Sequence, residues 1–471
     1  MENHKMKMSN FRWIVCALLF FATTVNYLDR QVLSLTWKDF IAPEFKWTDN
    51  DYGTITAAFS LIYALCNLFA GKFIDWMGTK KGYLWAIFIW SLGACLHAAC
   101  GIGAVKIGAL AAISVTTVSV WLFLACRAVL ALGEAGNFPA AIKVTAEYFP
   151  KKDRAFSTSI FNSGSSVGAL AAPATIPLIA KFWGWEWAFI IIGALGFLWM
   201  GFWVWLYKKP SENKLVNAAE LAYINSDTDA EAEAAAKAKA ANEEGPKISY
   251  LKAFKLRHTW SLVLGRFLTD GVWWFFLFWT PGYLSDQFGY RSDSGMGMAL
   301  IITLYAIVTF VSIYLCKLPT FFVDRRGMNP YEGRMISMFV FACFPLLALG
   351  AQPLGQFSAW WPAILIGLAC AGHQAWSANV YSVVGDMFPK STIATLTGIA
   401  QCAAGCGSFI VNKSAGKLFT YAADKGDAFA FCGYTGKPAG YMIVFCYCAV
   451  AYLIGWACMK SLVPKYKKVE L

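Results

Sequence analysis

The sequence predicts an all-α membrane protein of about twelve transmembrane helices in two six-helix bundles. Three observations carry this. Of 471 residues, 58% are hydrophobic and 14% charged, against about 25% charged in a soluble domain, so the chain cannot cover a water-facing surface. Apolar stretches of ~18 residues or more, enough to cross a bilayer, recur along its whole length. Two short motifs return in the same order at similar offsets, which marks two related halves.

The expected spans are 12–36, 52–74, 82–101, 114–140, 155–181 and 186–208, then 258–285, 295–322, 333–351, 358–385, 392–420 and 438–463. The first follows the short lead MENHKMKMSNFR; it lacks a small-residue cleavage site and carries Asp29 and Arg30, so it reads as a retained helix and not a signal peptide. The apolar stretch 101–120 exceeds what the third span needs, and extends the third or fourth helix in preference to a re-entrant piece. Residues 1–208 form the first bundle, 209–257 a cytoplasmic linker and 258–471 the second bundle. The linker is rich in Ala, Glu, Asp and Lys and has little to bury, so it is expected to be solvated, with part of it a surface helix.

Basic residues choose sides. Lys5, Lys7 and Arg12 precede the first span; Lys72, Lys80 and Lys81 follow the second; Lys143, Lys151, Lys152 and Arg154 follow the fourth; Lys208 and Lys209 follow the sixth. Arg325, Arg326 and Arg334 follow the eighth, and Lys460, Lys465, Lys467 and Lys468 end the chain. The positive-inside rule then places both termini and the linker in the cytoplasm. The net charge of +12 lies around apolar segments and not in a basic arm, which argues against nucleic acid. The 14 cysteines sit mostly in apolar stretches with no CxxC spacing, so they read as small buried hydrophobes and not as a disulfide framework or zinc site.

The repeats join Asp75, in GKFIDWMGTKKG (71–82), to Asp324, in FFVDRRGMNPYEGR (321–334). Each Asp precedes a Gly by three residues, in the loop after the second helix of its half. EYFPKKDR (147–154) is likewise echoed by DMFPKSTI (386–393) after each fourth helix. Parallel repeats related by an axis along the membrane normal are a transporter architecture.

Ionisable groups inside apolar spans are functional candidates by default. Asn26, Asp29 and Arg30 share roughly one face of the first helix. Arg127 and Glu134, seven apart, share one face of the fourth, separated by ~10 Å of rise. They either lock helices together as ion pairs, or work: arginines bind an anion and carboxylates carry protons. Adjacent residues on a helix point ~100° apart, so Asp29 and Arg30 need partners elsewhere, and a buried pair need not stabilise at all; this favours the working role. In the second half, GHQAWSANVYSVVGD (372–386) places His373, Gln374, Ser377, Asn379, Tyr381 and Ser382 at membrane depth, and Gln401, Ser408 and Asn412 follow. These neutral groups suit a polyhydroxylated ligand or helix–helix hydrogen bonding. His373 is a proton site or a satisfied structural group. Arg266 and Asp270, four apart, are expected near the cytoplasmic end, paired with linker or loop residues. Trp273 and Trp274 either stack on a sugar ring or anchor and pack. NSGSSVGALAAPATIP (162–177), with Gly164, Gly168 and Ala172 at four-residue spacing, permits close helix contact and sliding during transport. No GxxxxGK[ST] and no HExxH occur, so no ATP-driven cassette or metalloenzyme is expected.

Taken together, RAVLALGEAGNFPAAIKVTAEYFPKKDRAFSTSIFNSGSSVGA, the NYLDR of helix one and GKFIDWMGTKK, with Trp76 where an Arg is usual, resemble the major facilitator superfamily and within it the anion:cation symporters. RFLTDGVWWFFLFWTPGYL and HQAWSANVYSVVGDMFP are most similar to bacterial hexuronate transporters, which take up galacturonate and glucuronate with protons. The resemblance implies a carrier and not an enzyme, with no cofactor and with protons as coupling ion. It implies a monomer in membrane lipid whose partner is a sugar-acid anion. Asp29 and Glu134 would couple protons. Arg30 and Arg127 would attract the carboxylate, and Tyr63, Asn162, Ser165, His373, Gln374, Asn379, Tyr381 and Gln401 would complete the substrate site. Asp75 and Asp324 would belong to gating loops, where Trp76 leaves the usual contacts open. Some hexuronate transporters lack the helix-one Asp, so Asp29 alone does not establish coupling. Galactonate, glucarate or another organic anion, and exchange without protons, stay open as alternatives.

Overall fold

The computed structural model describes residues 8–227, 249–385, 387–388, 392–467 and 469, with Tyr381 described by its backbone alone. Twelve long helices are arranged in two sets of six: α1 Phe11–Thr36, α2 Asp49–Met77, α3 Thr79–His97, α4 Val115–Glu134, α5 Lys151–Trp183 and α6 Trp185–Leu206. The second set is α7 Arg257–Phe288, α8 Gly295–Leu315, α9 Pro330–Cys343, α10 Trp360–Gly385, α11 Ile393–Lys425 and α12 Gly436–Leu462. Among the described residues, nine helical stretches are long and apolar enough to cross a membrane alone, or ten if the bent pair at α3 counts as one span. The two that fall outside that count, α10 and α11, carry polar groups that the fold turns inward: His373, Gln374 and Ser377 on α10, Gln401, Ser408 and Asn412 on α11.

Boundaries moved where local chemistry intervened. The stretch 101–120 resolves into a helix, Cys100–Ala111, bent by 63° from α3, and the start of α4. The expected span 333–351 breaks after Cys343: Pro345 lies in the first turn of a 3-10 segment, Phe344–Gly350, that replaces the α-helix there. The linker is not wholly solvated. Its helix Ala218–Ile224 docks buried Glu220 on the first turn of α1. One Glu220 oxygen accepts from the Phe11 amide (2.9 Å) and the other from the Arg12 amide (3.1 Å) and guanidinium (3.0 Å), which is where a helix dipole favours an anion. Burial alone would raise this carboxyl; the hydrogen bonds from Ser9, the two amides and Arg12 outweigh it and hold it below the ordinary range.

The halves are built alike. The glycine of each repeated loop, Gly78 and Gly327, has a positive φ, 77° and 62°, which a side chain would strain. In each half the first helix lies hard against the fifth: a Cβ at Gly164 would meet Phe20 O at 2.4 Å, and one at Gly407 would meet Phe267 O at 2.0 Å. Between halves, α2 runs along α11, where Ser408 Oγ donates to Ser60 Oγ at 2.9 Å, and α5 runs along α8.

The end remote from the termini is sealed. Lys38, Asp49, Asp286 and Lys437 alternate in charge across the two halves, with Lys38–Asp286 at 2.7 Å and Lys437–Asp49 at 2.8 Å. Beneath them Trp37 stacks on Tyr52 at 3.9 Å, Trp279 meets both edge-on, and Tyr52 OH donates to Phe278 O at 2.7 Å. Asn50 N–H donates to Thr420 Oγ1 (2.9 Å), and Lys413 donates to Asn50 Oδ1 (2.8 Å). At the other end Asp75 bridges to Lys143 of its own half at 2.7 Å, while Trp76 is 80% exposed. Asp324 is exposed as well.

Candidate functional site

A cavity of about 290 Å³ lies between the halves at mid-depth, lined from α1 by Tyr27 and Arg30, from α2 by Ser60, Tyr63 and Asn67, from α7 by Arg266, Asp270, Trp273 and Trp274, and from α10 and α11 by His373, Gln374, Ser377 and Gln401.

Arg30 reaches across the first bundle to Glu134. Its Nε (3.0 Å) and Nη2 (2.7 Å) both donate to Glu134 Oε2, and both side chains are buried. Its guanidinium lies 4.7 Å from the Tyr63 ring, 5.1 Å from Tyr27 and 5.2 Å from Trp274, so cation–π attraction helps hold a charge that burial penalises. Glu134 Oε1 has no hydrogen-bond partner.

Asp29 and Arg127 take different positions from Arg30. Neither lines the cavity. Arg127 is buried, its guanidinium 5.3 Å from the Phe59 ring, with Nη1 unpartnered. Arg127, expected from the sequence to attract the carboxylate, is not among the residues that line the cavity in this conformation. Asp29 is buried with neither oxygen hydrogen-bonded, within electrostatic reach of Glu134 and Arg127. The structure thus brings all four charged candidates of helices one and four together and lets only Arg30 face the cavity.

The second half supplies a pair the sequence placed wrongly. Arg266 and Asp270 are not at the membrane edge with loop partners; they pair with each other at 2.9 Å, buried, on the cavity wall. The Arg266 fork continues to Ser377 Oγ (Nη1, 2.8 Å) and Gln401 Oε1 (Nη2, 3.2 Å). The signal was present, an i,i+4 charged pair inside an apolar run, and Ser377 and Gln401 were already noted as polar groups at depth.

Of the other candidates, Tyr63, His373, Gln374 and Gln401 line the cavity. His373 stacks on Trp273 (centroids 5.0 Å apart), and its Nδ1 lies 2.6 Å from Tyr452 OH. That hydroxyl donates its single hydrogen to Thr269 O at 3.1 Å, so it accepts from Nδ1–H, and the ring is held as a structural group holds one. Asn379 donates to Ala375 O of its own helix and is absent from the lining. Asn162 and Ser165 line a neighbouring crevice of about 460 Å³ between α5 and α8, which shares Tyr27, Trp273 and Gln374 with the cavity. The Tyr381 side chain lies outside the described residues. Tyr27, Ser60 and Asn67 are lining residues that sequence reasoning did not single out, their polar groups being scattered singly along apolar helices.

Residues 19–412 match the family model of the Major Facilitator Superfamily. The chain belongs to that superfamily. The hexuronate transporter of Escherichia coli (strain K12) is 28% identical over 421 residues, spanning 88% of each chain. A probable galactarate/D-glucarate transporter of the same organism is 25% identical over 417 residues, spanning 88% of this chain and 90% of its own. The crystal structure of a D-xylose-proton symporter superposes with a TM-score of 0.69 at 15% identity, over 97% of this chain and 99% of that one, and so shares the fold. The protein is therefore a multi-pass membrane carrier of this superfamily, not an enzyme.

Proposed function

We propose that the protein carries sugar-acid anions of the hexuronate class together with protons across the bacterial cytoplasmic membrane by alternating access. The observation that supports this best is the Arg30–Glu134 pair, which puts a buried guanidinium on the wall of a cavity that is also lined by hydroxyl and amide groups and by the Arg266–Asp270 pair. A hexuronate is one carboxylate and a set of hydroxyls, which this lining matches in kind. The similarity to transporters named for hexuronate and galactarate or glucarate points the same way.

The coupling follows from the shared oxygen. Both donors that Arg30 spends on protein go to Glu134. A substrate carboxylate arriving at Arg30 competes with Glu134 for them. Adding a proton to Glu134 removes its charge, frees the fork and leaves the cavity attractive to an anion; by reciprocity the anion favours the proton. Asp29, whose oxygens have no donor, is the second proton site. With the termini in the cytoplasm, the sealed end faces outward and this conformation releases cargo inward. Counterflow in proteoliposomes with a panel of sugar acids tests the substrate class: exchange of labelled galacturonate by glucuronate but not by neutral galactose supports it, and equal exchange by galactose contradicts it.

A further inference from the structure

The reading above uses one arginine, yet two face the cavity, one from each half. Arg30 is satisfied by a carboxylate, with Nε and Nη2 on Glu134. Arg266 is satisfied differently. Its Nε meets Asp270 at 2.9 Å, but its two terminal nitrogens go to neutral acceptors, Ser377 Oγ at 2.8 Å and Gln401 Oε1 at 3.2 Å. A serine hydroxyl and a glutamine carbonyl therefore occupy the places where the two oxygens of a carboxylate meet a guanidinium fork.

We propose that the terminal fork of Arg266 is a second carboxylate anchor, and that the cavity prefers sugar acids carrying a carboxylate at each end over their monocarboxylic counterparts. The proposal rests on the reading of this cavity as a sugar-acid site, and adds a second class, the aldarates, to the hexuronates. Three features carry it. Charge-assisted hydrogen bonds are roughly twice as strong as neutral ones, so a carboxylate displaces Ser377 and Gln401 from the fork with a gain, whereas a ligand hydroxyl merely replaces like with like. Both displaced groups line the same cavity, so they stay free to bond ligand hydroxyls. Asp270 lies 2.9 Å from Nε and balances the buried charge without occupying the terminal nitrogens, and the planar fork is pre-organised, so little order is lost on binding. Arg30 and Arg266 come from opposite halves and line one cavity.

Galactonate and galactarate test this cleanly: both are open chains of the same stereochemistry, differing only in whether the last carbon is a hydroxymethyl or a carboxylate. Each competes against labelled galacturonate on purified full-length protein in lipid nanodiscs. The expected result is galactarate at least about tenfold tighter than galactonate, roughly 1.4 kcal/mol, with that ratio falling to about one in Arg266→Gln and to an intermediate value in Arg266→Lys, which keeps charge but lacks the fork. Equal affinity of the unaltered protein for the two acids overturns the proposal without any variant. So does an Arg266→Gln protein that weakens both acids by one factor and keeps the ratio, since Arg266 is then a brace. A protein that binds galacturonate but shows either of these results loses only the second anchor. One that binds no sugar acid at all loses the first reading with it.

Discussion

Arg30 and Glu134, 104 residues apart, meet through a single carboxylate oxygen, with the Arg30 Nε at 3.0 Å and Nη2 at 2.7 Å from Oε2. The other oxygen, Oε1, is buried and unpartnered. A pair built only to brace two helices would use both oxygens in a fork-to-fork contact. This one leaves an oxygen free to take a proton, so losing the proton site should be separable from losing the substrate site. Glu134→Gln keeps the shape of the side chain and removes its titration. Labelled galacturonate should still exchange across vesicles holding unlabelled galacturonate, while uphill accumulation driven by an imposed pH gradient disappears. Full accumulation by the amide would remove Glu134 from the coupling role.

The two arginines of the first half should respond differently to the same change. Arg30 lines the cavity, and Arg127 does not. Lysine offers charge without the planar fork. Arg30→Lys should lower galacturonate affinity by about tenfold or more, whereas Arg127→Lys should change it by less than about threefold. Competition binding on purified protein measures both. Equal losses at both positions would show that Arg127 takes part in binding the ligand as Arg30 does.

The seal at the remote end should be a gate that opens in each cycle. Asn50 of one half and Thr420 of the other are in hydrogen-bond contact at 2.9 Å, near enough for a cysteine pair to bridge. Oxidising the Asn50→Cys, Thr420→Cys double variant should stop transport, and reductant should restore it, with each single variant unaffected. Undiminished transport by the cross-linked protein would mean that this end does not open.

Close helix contact within each half should be intolerant of a methyl group. Gly407→Ala places a Cβ 2.0 Å from Phe267 O, so α7 and α11 must separate; overpacking of this kind costs about 1–3 kcal/mol or more. Thermal unfolding in detergent should show a clear fall in Tm. Gly295→Ala, with open space around its Cβ, should leave Tm within a degree or two, on the order of the helix-propensity difference.

The parts of this architecture legible in the sequence are those fixed by period and charge. Hydropathy placed the helices, and the glycine loops at 78 and 327 exposed the repeat. Arg30, Glu134, His373 and Gln401 stood out because a polar group in an apolar run is costly and conspicuous. What stayed hidden depends on rotation about helix axes and on packing between helices. Arg127 and Glu134 share a face by spacing, yet neither lines the cavity, and it is Arg30, from another helix, that pairs with Glu134 and does. Arg266 and Asp270 read as an edge pair because their depth is set by where α7 crosses its neighbours. Glu220 looked like one solvated charge among many, and only its docking on α1 makes it a cap.

The central claim is that anion and proton move together. The direct measurement is internal pH in proteoliposomes loaded with a pH-sensitive dye, in weak buffer with no imposed gradient, as galacturonate is added outside. The interior should acidify as the sugar acid enters, with glucuronate giving the same response and galactose none, and with Glu134→Gln abolishing it. Galacturonate entering with no change in internal pH would contradict the account and leave an anion carrier that runs without protons.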